Sequence, residues 1–210
     1  MKPILYGYWR SSCTWRVRIA LAWKGLEFDN RPVNLRAGEQ GSDEHRGRSP
    51  MAQVPVLVWR GQTMTQSMAI LEALEEAQPE PPLLPSSWAD RAQARALAEI
   101  INAGIQPLQN LSVSRAVQDL GGDPQAWGRD VIQRGLAALQ ADAQSSAGRF
   151  LVGDAPSFAD CCLVPQLYNA RRHGCDLTDF DLLLAVEARC ASLPAFDAAH
   201  PDRQPDAPEA

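Results

Sequence analysis

The first 78 residues carry strand and helix patterns in an order that few folds can accommodate. A short β-rich run at 3–9 is followed by a helical period over 12–24, which stops at Gly25, and then by a second strand pattern at 27–35. Two strands joined through a helix lie parallel in one sheet, with the helix across one face. The order therefore predicts a β-α-β unit at the start of the chain.

The next segment predicts a hairpin and a second helix. The stretch 53–66 has the pattern of a strand, a turn at Arg60 and Gly61, and a second short strand. From Ser67 onward, apolar residues recur at helical spacing with acidic residues on the opposite side. The first part of the chain is thus predicted as β-α-β followed by β-β-α, an α/β domain.

A proline-rich stretch ends this first domain. Residues 79–87 hold four of the sixteen prolines, too many for the interior of a helix or strand. Beyond it an alanine-rich helical pattern begins after Ser87, and no convincing strand follows. We predict an α/β domain at 1–80, a linker at 81–88 and an all-helical domain at 89–210.

Helical periods define the rest of the second domain. Further helices are expected over 127–147 and 157–173. The latter opens with Ser157 and Asp160, which have the spacing of a capping box. The tail from His200 is proline-rich and acidic, so we expect it to be irregular and to lie on the surface or loose.

Composition restricts the partners. A chain of 210 residues with 45% hydrophobic content can build a proper core. The net charge is -5 and the basic residues are scattered singly, which argues against a nucleic acid or an anionic membrane surface and favours a small soluble partner. No apolar stretch approaches the roughly 18 residues of a membrane span, and the start lacks a signal-peptide pattern. We expect a cytoplasmic protein.

The cysteines and histidines suggest neither a disulfide framework nor a metal site. The cysteines are odd in number and irregularly spaced: Cys13, Cys161, Cys162, Cys175 and Cys190. Reduced thiols are therefore expected. The three histidines lie far apart and form no HxxxH or Cys/His cluster, so no metal is predicted.

The stretch YWRSSCTWRVRIAL places two serines and a cysteine where the first strand leads into the first helix. The first N–H groups of a helix lack intrahelical partners and together carry about half a positive charge, so anions bind there. Ser11, Ser12 and Cys13 occupy this turn, which favours a thiolate, either of Cys13 or of a bound ligand. A serine that only caps the helix is the plainer alternative. CTWR lacks the second cysteine of a CxxC pair, which argues against dithiol exchange and leaves a monothiol mechanism open.

Two more features suit a bound peptide. Val54-Pro55 precedes a strand, where a cis proline would leave main-chain groups to pair with a peptide, although most such bonds are trans. Gln66 and Ser67 open the last helix of the first domain, where N–H groups suit a carboxylate or simply a cap. In combination, these features fit a short peptide that carries a thiol and carboxylates.

Six sequence blocks carry a family resemblance: YWRSSCTWRVRIAL, MAQVPVL, TQSMAILEALEE, GIQPLQNLSV, VGDAPSFADCCLVPQ and HPDRQPDAP. In these blocks and their order, from about residue 3 to 208, the chain resembles the zeta class of glutathione transferases, whose best-known members are maleylacetoacetate isomerases. The SSC run and QPLQNLS are specific to that class. The resemblance implies a thioredoxin-like domain joined to an all-helical domain, a homodimer, and glutathione bound in the first domain.

The resemblance also implies roles for individual residues. Ser11 would stabilise the glutathione thiolate, with Ser12 and Cys13 beside it. Positions that match glutathione-contacting or site-lining residues are Gln40, Val54, Pro55, Gln66, Ser67, Gln106, Asn110 and Ser112. Basic positions available to the carboxylates of a dicarboxylate substrate are Arg10, Arg16 and Arg172, with Arg171 as a rival of Arg172. The alternative for each arginine is a solvated surface charge or an ion pair.

The chain departs from the family pattern in three places. Gly7 stands where a serine is common, and Thr14 replaces another small residue. Between Asn34 and Met51 the chain is about two residues shorter, with a charged SDEHRGRSP in place of a more apolar sequence. The implied role of Gln40 therefore depends on how this loop folds.

The activity implied by the resemblance is cis-trans isomerisation of maleylacetoacetate, a step in the breakdown of aromatic acids and amino acids. Thiolate addition turns the double bond into a rotatable single bond, and loss of the thiolate returns glutathione unconsumed. Three alternatives stay open: maleylpyruvate isomerisation, glutathione conjugation or dehalogenation of α-halo acids, and ligand binding without catalysis. The intact QPLQNLSV favours maleylacetoacetate over maleylpyruvate.

Overall fold

The structure is a computed structural model that describes residues 2–208. Its contacts divide the chain into two compact units. The first unit runs to Pro82 and includes the chain again from Leu193, whereas the second unit is Leu83–Ser192. The break between the units falls inside the proline-rich stretch.

A four-stranded mixed sheet forms the centre of the first unit. Its strands are β1 (Ile4–Gly7), β2 (Asp29–Pro32), β3 (Val56–Trp59) and β4 (Gln62–Thr65), in the spatial order β2-β1-β3-β4. Strand β2 runs parallel to β1, and β3 runs antiparallel to both β1 and β4. Leu5 lies opposite Asn30 on one side and Leu57 on the other. The predicted order and the thioredoxin-like arrangement are confirmed.

Before the unit boundary, the first unit contains the helices α1 (Ser12–Trp23), the single turn α2 (Asp43–Arg46) and α3 (Ser67–Ala77). Helices α1 and α3 contact each other, and their buried side chains include Val17, Leu21, Leu71 and Leu74. Helix α1 stops as predicted, because Gly25 adopts the left-handed φ of 66° that ends many helices. In the β3–β4 turn, Arg60 and Gly61 both have positive φ, which a two-residue hairpin needs.

A buried ion pair holds the end of α1 to α3 and to the proline-rich stretch. Lys24, the C-cap of α1, pairs with Glu75 of α3, and the side chains are 0% and 8% exposed. The same ammonium group donates to the carbonyls of Pro79 at 3.4 Å and Pro81 at 2.9 Å. The chain before the unit boundary is therefore tied to the first unit.

The second unit is helical. Its helices are α4 (Trp88–Glu99), α5 (Leu111–Asp119), α6 (Pro124–Ala143), α7 (Phe158–Arg172) and α8 (Asp181–Ala191), with a π-helical segment at Ile100–Ile105. Among its described residues only a single bridge, Ala147 with Gly153, has strand-like pairing. Helix α6 begins earlier than predicted because Asp123 caps it ahead of Pro124. Sequence analysis did not single out α5, which buries no residue, or α8, which starts without a side-chain cap.

The chain from Leu193 groups with the first unit, although sequence analysis assigned 89–210 to one helical domain. A short helix, α9 (Pro194–Ala198), contacts α1. The proline-rich tail that follows has one 3-10 turn at Pro201–Arg203, with Pro201 buried. The tail is thus irregular, as predicted, and lies against the first unit. Within the described residues, no helix is both long and apolar enough to span a bilayer.

The capping box predicted at the start of α7 is present. The hydroxyl of Ser157 accepts from the N–H of Ala159, and the Asp160 carboxylate accepts from the Ser157 N–H at 2.8 Å and hydroxyl at 3.0 Å. Its other oxygen accepts from the N–H of Leu151 at 3.0 Å. Burial raises the pKa of Asp160 to about 6, against the opposing effect of these hydrogen bonds.

This raised pKa predicts a pH-dependent contribution of Asp160 to stability. The folded protein keeps the Asp160 proton to a higher pH than the unfolded chain, so stability falls as the pH rises from about 4 to about 6. Asp160→Asn removes this titration. We expect the free energy of unfolding of the wild type, relative to the variant, to fall by about 2.4 kcal/mol between pH 4 and pH 7. Urea unfolding at several pH values checks this, and Asp142→Asn on exposed α6 surface is the control. A constant difference would contradict it.

Candidate active site at the start of two helices

Ser11 is the N-cap of α1. Its backbone is extended, with φ of -67° and ψ of 119°, and its hydroxyl accepts from the N–H of Thr14 at 3.2 Å. Its own N–H donates to the carbonyl of Tyr8 at 3.0 Å. A serine hydroxyl has one proton to donate besides its acceptor sites, and no described residue accepts the proton of Ser11. Ser11 can therefore cap the helix and donate its hydroxyl proton to an anion at the same time. The helix-cap interpretation and the thiolate-stabilising interpretation of this serine are compatible.

Ser12 and Cys13 form the first turn of α1. Both are half-buried, and Cys13 is a free thiol. Arg10 precedes them, also half-buried, with its guanidinium carbon 5.1 Å from the centroid of the Trp9 ring. The predicted run of hydroxyls and a thiol thus sits at a helix start with a cationic side chain beside it. Among the described residues, no group of three or more His, Cys, Asp or Glu side chains could hold a metal ion.

Gly7 and Thr14, the two departures from the family pattern, occupy the same space. A Cβ added at Gly7 would lie 2.2 Å from Cγ2 of Thr14, a distance that real Cβ atoms essentially never show. Thr14 is completely buried, and its Oγ1 has no hydrogen-bond partner among the described residues. The absence of a side chain at Gly7 therefore makes room for the threonine.

The Gly7–Thr14 fit predicts a strong coupling between substitutions. We expect Gly7→Ser alone to destabilise the protein by about 1–3 kcal/mol through overpacking. Thr14→Ala should remove most of that penalty in the double variant, because Cγ2 is the atom that a new Cβ would strike. A double-mutant cycle from urea unfolding measures the coupling, and additive effects of the two substitutions would contradict this fit.

The second helix start is at Gln66 and Ser67. Gln66 has φ of 67° and ψ of 112°, a conformation that non-glycine residues rarely adopt and that often marks a functional site. Its side chain is exposed and makes no capping hydrogen bond with any described residue. Ser67 is buried. The start of α3 is thus left without a side-chain cap, as an anion site requires.

Arg16, predicted as a substrate contact, is buried beside the start of α3. Its side chain is 0% exposed, and Nη1 donates to Oγ of Ser67 at 3.2 Å. The guanidinium thus contacts the first residue of α3. The role of Arg16 toward a substrate carboxylate stays a prediction.

The Val54-Pro55 bond is cis, as the sequence suggested. Within residues 2–208, the main chain of Val54 makes no hydrogen bond, so its N–H and C=O groups are left for a peptide. Both main-chain polar groups of the preceding residue, Gln53, are hydrogen-bonded. Its N–H donates to Oγ of Ser49 at 3.3 Å, and its carbonyl accepts from Nε2 of His45 at 2.9 Å. His45 and Ser49 are buried. The sequence analysis did not identify these contacts, because a loop sequence does not show which residue His45 or Ser49 will bind.

Gln40 lies in a 3-10 turn, Glu39–Gly41, between β2 and α2. It is half-buried, and its Oε1 is buried without a hydrogen-bond partner among the described residues. An amide in that state has unused hydrogen-bonding capacity. The implied contact of Gln40 with the cofactor stays a prediction.

The remaining predicted residues belong to the second unit. Gln106 follows the π-helical segment, Asn110 caps α5 through its amide oxygen, and Ser112 is exposed in the first turn of α5. Gln109 and Gln166, which the sequence analysis did not assign, donate to each other's amide oxygens at 2.9 and 3.1 Å. Gln109 also donates to Oε1 of Gln106 at 3.4 Å. The buried Gln109–Gln166 amide pair thus contacts the predicted Gln106 side chain.

The structure separates the two candidate arginines at the end of α7. Arg171 makes two parallel hydrogen bonds to the Glu187 carboxylate, at 2.6 and 2.5 Å. Arg172 is exposed and donates to the side-chain oxygen of Asn169 at 2.9 Å. Since Arg171 is committed to a carboxylate of the protein, Arg172 remains the better candidate for a substrate carboxylate.

Two family models and several known proteins match this chain. Residues 1–76 match the family model described as glutathione S-transferase, N-terminal domain, and residues 86–201 match that described as glutathione S-transferase, C-terminal domain. Maleylacetoacetate isomerase of Mus musculus is 47% identical over 210 residues, which cover 99% of this chain and 96% of that protein.

Solved structures are similar as well. A crystal structure of maleylacetoacetate isomerase from Anaeromyxobacter dehalogenans, with bound GSH in its active site, is 54% identical with a TM-score of 0.90, covering 99% of this chain and 98% of that one. Another structure of that protein, 53% identical with a TM-score of 0.90, has bound dicarboxyethyl glutathione and citrate in its active site, at the same coverage. A holo structure of maleyl pyruvate isomerase, a bacterial zeta-class glutathione S-transferase, is 39% identical with a TM-score of 0.94, covering 98% and 100%.

Proposed function

Since the chain belongs to the zeta class of the glutathione transferase family, we propose that it is a glutathione-dependent cis-trans isomerase that converts maleylacetoacetate to fumarylacetoacetate. The single observation that carries the proposal is Ser11, which caps α1 and still has a hydroxyl proton for an anion at that helix start. The proposed place in metabolism is the breakdown of aromatic acids and amino acids.

The features of the first unit fit glutathione. Ser11 offers a donor for its sulfur, and the main chain of Val54 is available for its peptide bond. The start of α3 suits the γ-glutamyl carboxylate, where Gln66 and Ser67 present main-chain N–H groups and Arg16 adds a buried positive charge. The half-buried amide of Gln40 is proposed as a further contact.

The chemistry that glutathione supplies when bound is a thiolate, whose reversible addition to a cis double bond allows rotation without net consumption of the thiol. The protein must keep that thiol ionised near neutral pH. The Ser11 hydroxyl donates to the sulfur, and the partial positive charge of the α1 start favours the anion. Arg10, which directly precedes Ser11, is proposed to attract a substrate carboxylate.

Four residues of the second unit have proposed roles. Following the family pattern, Gln106, Asn110 and Ser112 are proposed to contact the cofactor, and Arg172 is proposed to contact a substrate carboxylate. Arg172 is exposed, and the side-chain oxygen of Gln106 accepts from Gln109 at 3.4 Å. The homodimer and the cytoplasmic location stay predictions.

The proposed function predicts turnover of maleylacetoacetate that requires glutathione but leaves its concentration unchanged. Substrate loss is followed spectroscopically while free thiol is titrated in parallel. Faster turnover of maleylpyruvate would favour the second candidate, which the structural similarity to a maleyl pyruvate isomerase supports. Glutathione that disappears in step with an α-halo acid, without isomerisation, would instead indicate a conjugating transferase and contradict the proposal.

Ser11→Ala should lower the isomerase kcat by about two to three powers of ten, because it removes a donor aimed at the developing charge. It should also destabilise the fold by about 1 kcal/mol, since a helix cap is lost. Ser87→Ala is the matched control, because Ser87 caps α4 in the same way through the N–H of Asp90. That variant should lose similar stability and keep its kcat. Equal kcat values for the two variants would remove Ser11 from the mechanism.

A further inference from the structure

Both main-chain polar groups of Trp9 are bound by charged side chains. The N–H of Trp9 donates to Oδ2 of Asp206 at 2.8 Å, a contact between residues 197 positions apart. The carbonyl of Trp9 accepts from Nη2 of Arg18 at 2.7 Å. Trp9 lies two residues before Ser11, so the loop that presents the proposed catalytic serine is held by the C-terminal tail on one side and by α1 on the other.

Arg18 joins the same loop to the tail. Its side chain is buried, and Nε donates to the carbonyl of Ala199 at 3.1 Å. Burial lowers the pKa of Arg18 to about 10, and the Asp206 carboxylate opposes that effect. The carbonyls of Trp9 and Ala199 hydrogen-bond this buried guanidinium.

The tail is itself a fixed structure. We define residues 199–206 as the C-terminal clasp. Nε2 of Gln204 donates to the carbonyls of Ala198 at 3.1 Å and His200 at 2.9 Å. The His200 ring meets the Trp15 ring edge-on, with centroids 5.2 Å apart. The second oxygen of Asp206 accepts from Nδ2 of Asn30 at 3.5 Å, which adds a contact to β2.

The Ser11 loop has few hydrogen bonds of its own. Between the end of β1 and the start of α1, the one internal main-chain bond among the described residues joins the N–H of Ser11 to the carbonyl of Tyr8. Strand pairing of β1 ends at Gly7. The orientation of the Trp9 peptide groups, and with them the approach to Ser11, thus depends on Asp206 and Arg18.

We propose that the C-terminal clasp positions the Ser11 loop, with Asp206 and Arg18 acting as positioning residues for the stabilisation of the glutathione thiolate. The inference rests on the proposed function for the identity of the anion. Asp206 acts through its hydrogen bond to the Trp9 N–H, so an oxygen acceptor at this position should suffice and the negative charge should not be needed.

The test compares Asp206→Ala and Asp206→Asn with the wild type in the full chain. The measured quantities are the pKa of the bound glutathione thiol, from thiolate absorbance against pH, and kcat at saturating glutathione. Asp206→Ala should raise that pKa by about one unit and lower kcat about tenfold, with little change in substrate KM. Asp206→Asn should recover most of both, because its amide oxygen accepts from the Trp9 N–H. Asp142→Ala, a change at an exposed position of α6 outside the clasp, is the control and should resemble wild type.

Two results would overturn the proposal. If Asp206→Ala lowers only the melting temperature and keeps the wild-type thiol pKa and kcat, the clasp is a structural anchor. If Asp206→Asn and Asp206→Ala lose equal activity, the hydrogen bond to Trp9 is not what matters. The thiol pKa also separates this proposal from the proposed function. If the wild type ionises bound glutathione but does not isomerise the substrate, the isomerase function is refuted. The thiol pKa values of the Asp206 variants then still test whether the clasp positions the Ser11 loop. A wild type that does not bind glutathione refutes both.

Discussion

The main-chain N–H groups that open α1 are the constraint on which the site depends. A helix start needs acceptors, and the Ser11 hydroxyl accepts from only one of these groups while it keeps a proton to donate. The sheet brings the chain to this point, because β1 ends at Gly7 and the helix begins at Ser12. An anionic sulfur would satisfy both the N–H groups and the hydroxyl, so the features that end the strand and start the helix also provide the proposed chemistry.

Two buried arginines extend the effect of this one helix. Arg16 and Arg18 both come from α1, and burial of such side chains is rare unless each finds partners. Arg16 meets Ser67 at the start of α3, where the proposed cofactor carboxylate binds. Arg18 meets the Trp9 carbonyl and the C-terminal tail. The first turn of helix α1 thus forms the proposed thiolate site, and its two buried arginines contact two neighbouring segments.

Sequence reasoning predicted the features that are set by local chemistry. Strand order, the turn at Arg60 and Gly61, the start of α3 and the capping box of α7 follow from residue types at fixed spacing, and the structure confirms them. Features set by distant partners were not predictable. The helical pattern predicts that Arg16 lies in α1, but it does not predict the contact of Arg16 with Ser67 of α3. The tail has no hydrophobic period, so its contact with Trp9, just after β1, could not be inferred from the sequence. The sequence analysis treated Gly7 and Thr14 as two separate departures from the family pattern, because a sequence does not show that the two positions are neighbours in space.

The central claim is that the Ser11 hydroxyl donates to the sulfur of bound glutathione. A crystal structure of the protein with glutathione tests it most directly. The account predicts the sulfur within hydrogen-bonding distance of Ser11 Oγ, the peptide of the cysteinyl residue paired with the main chain of Val54, and the γ-glutamyl carboxylate at the start of α3. A sulfur that instead lies bonded to Cys13, or that contacts neither residue, would contradict the account.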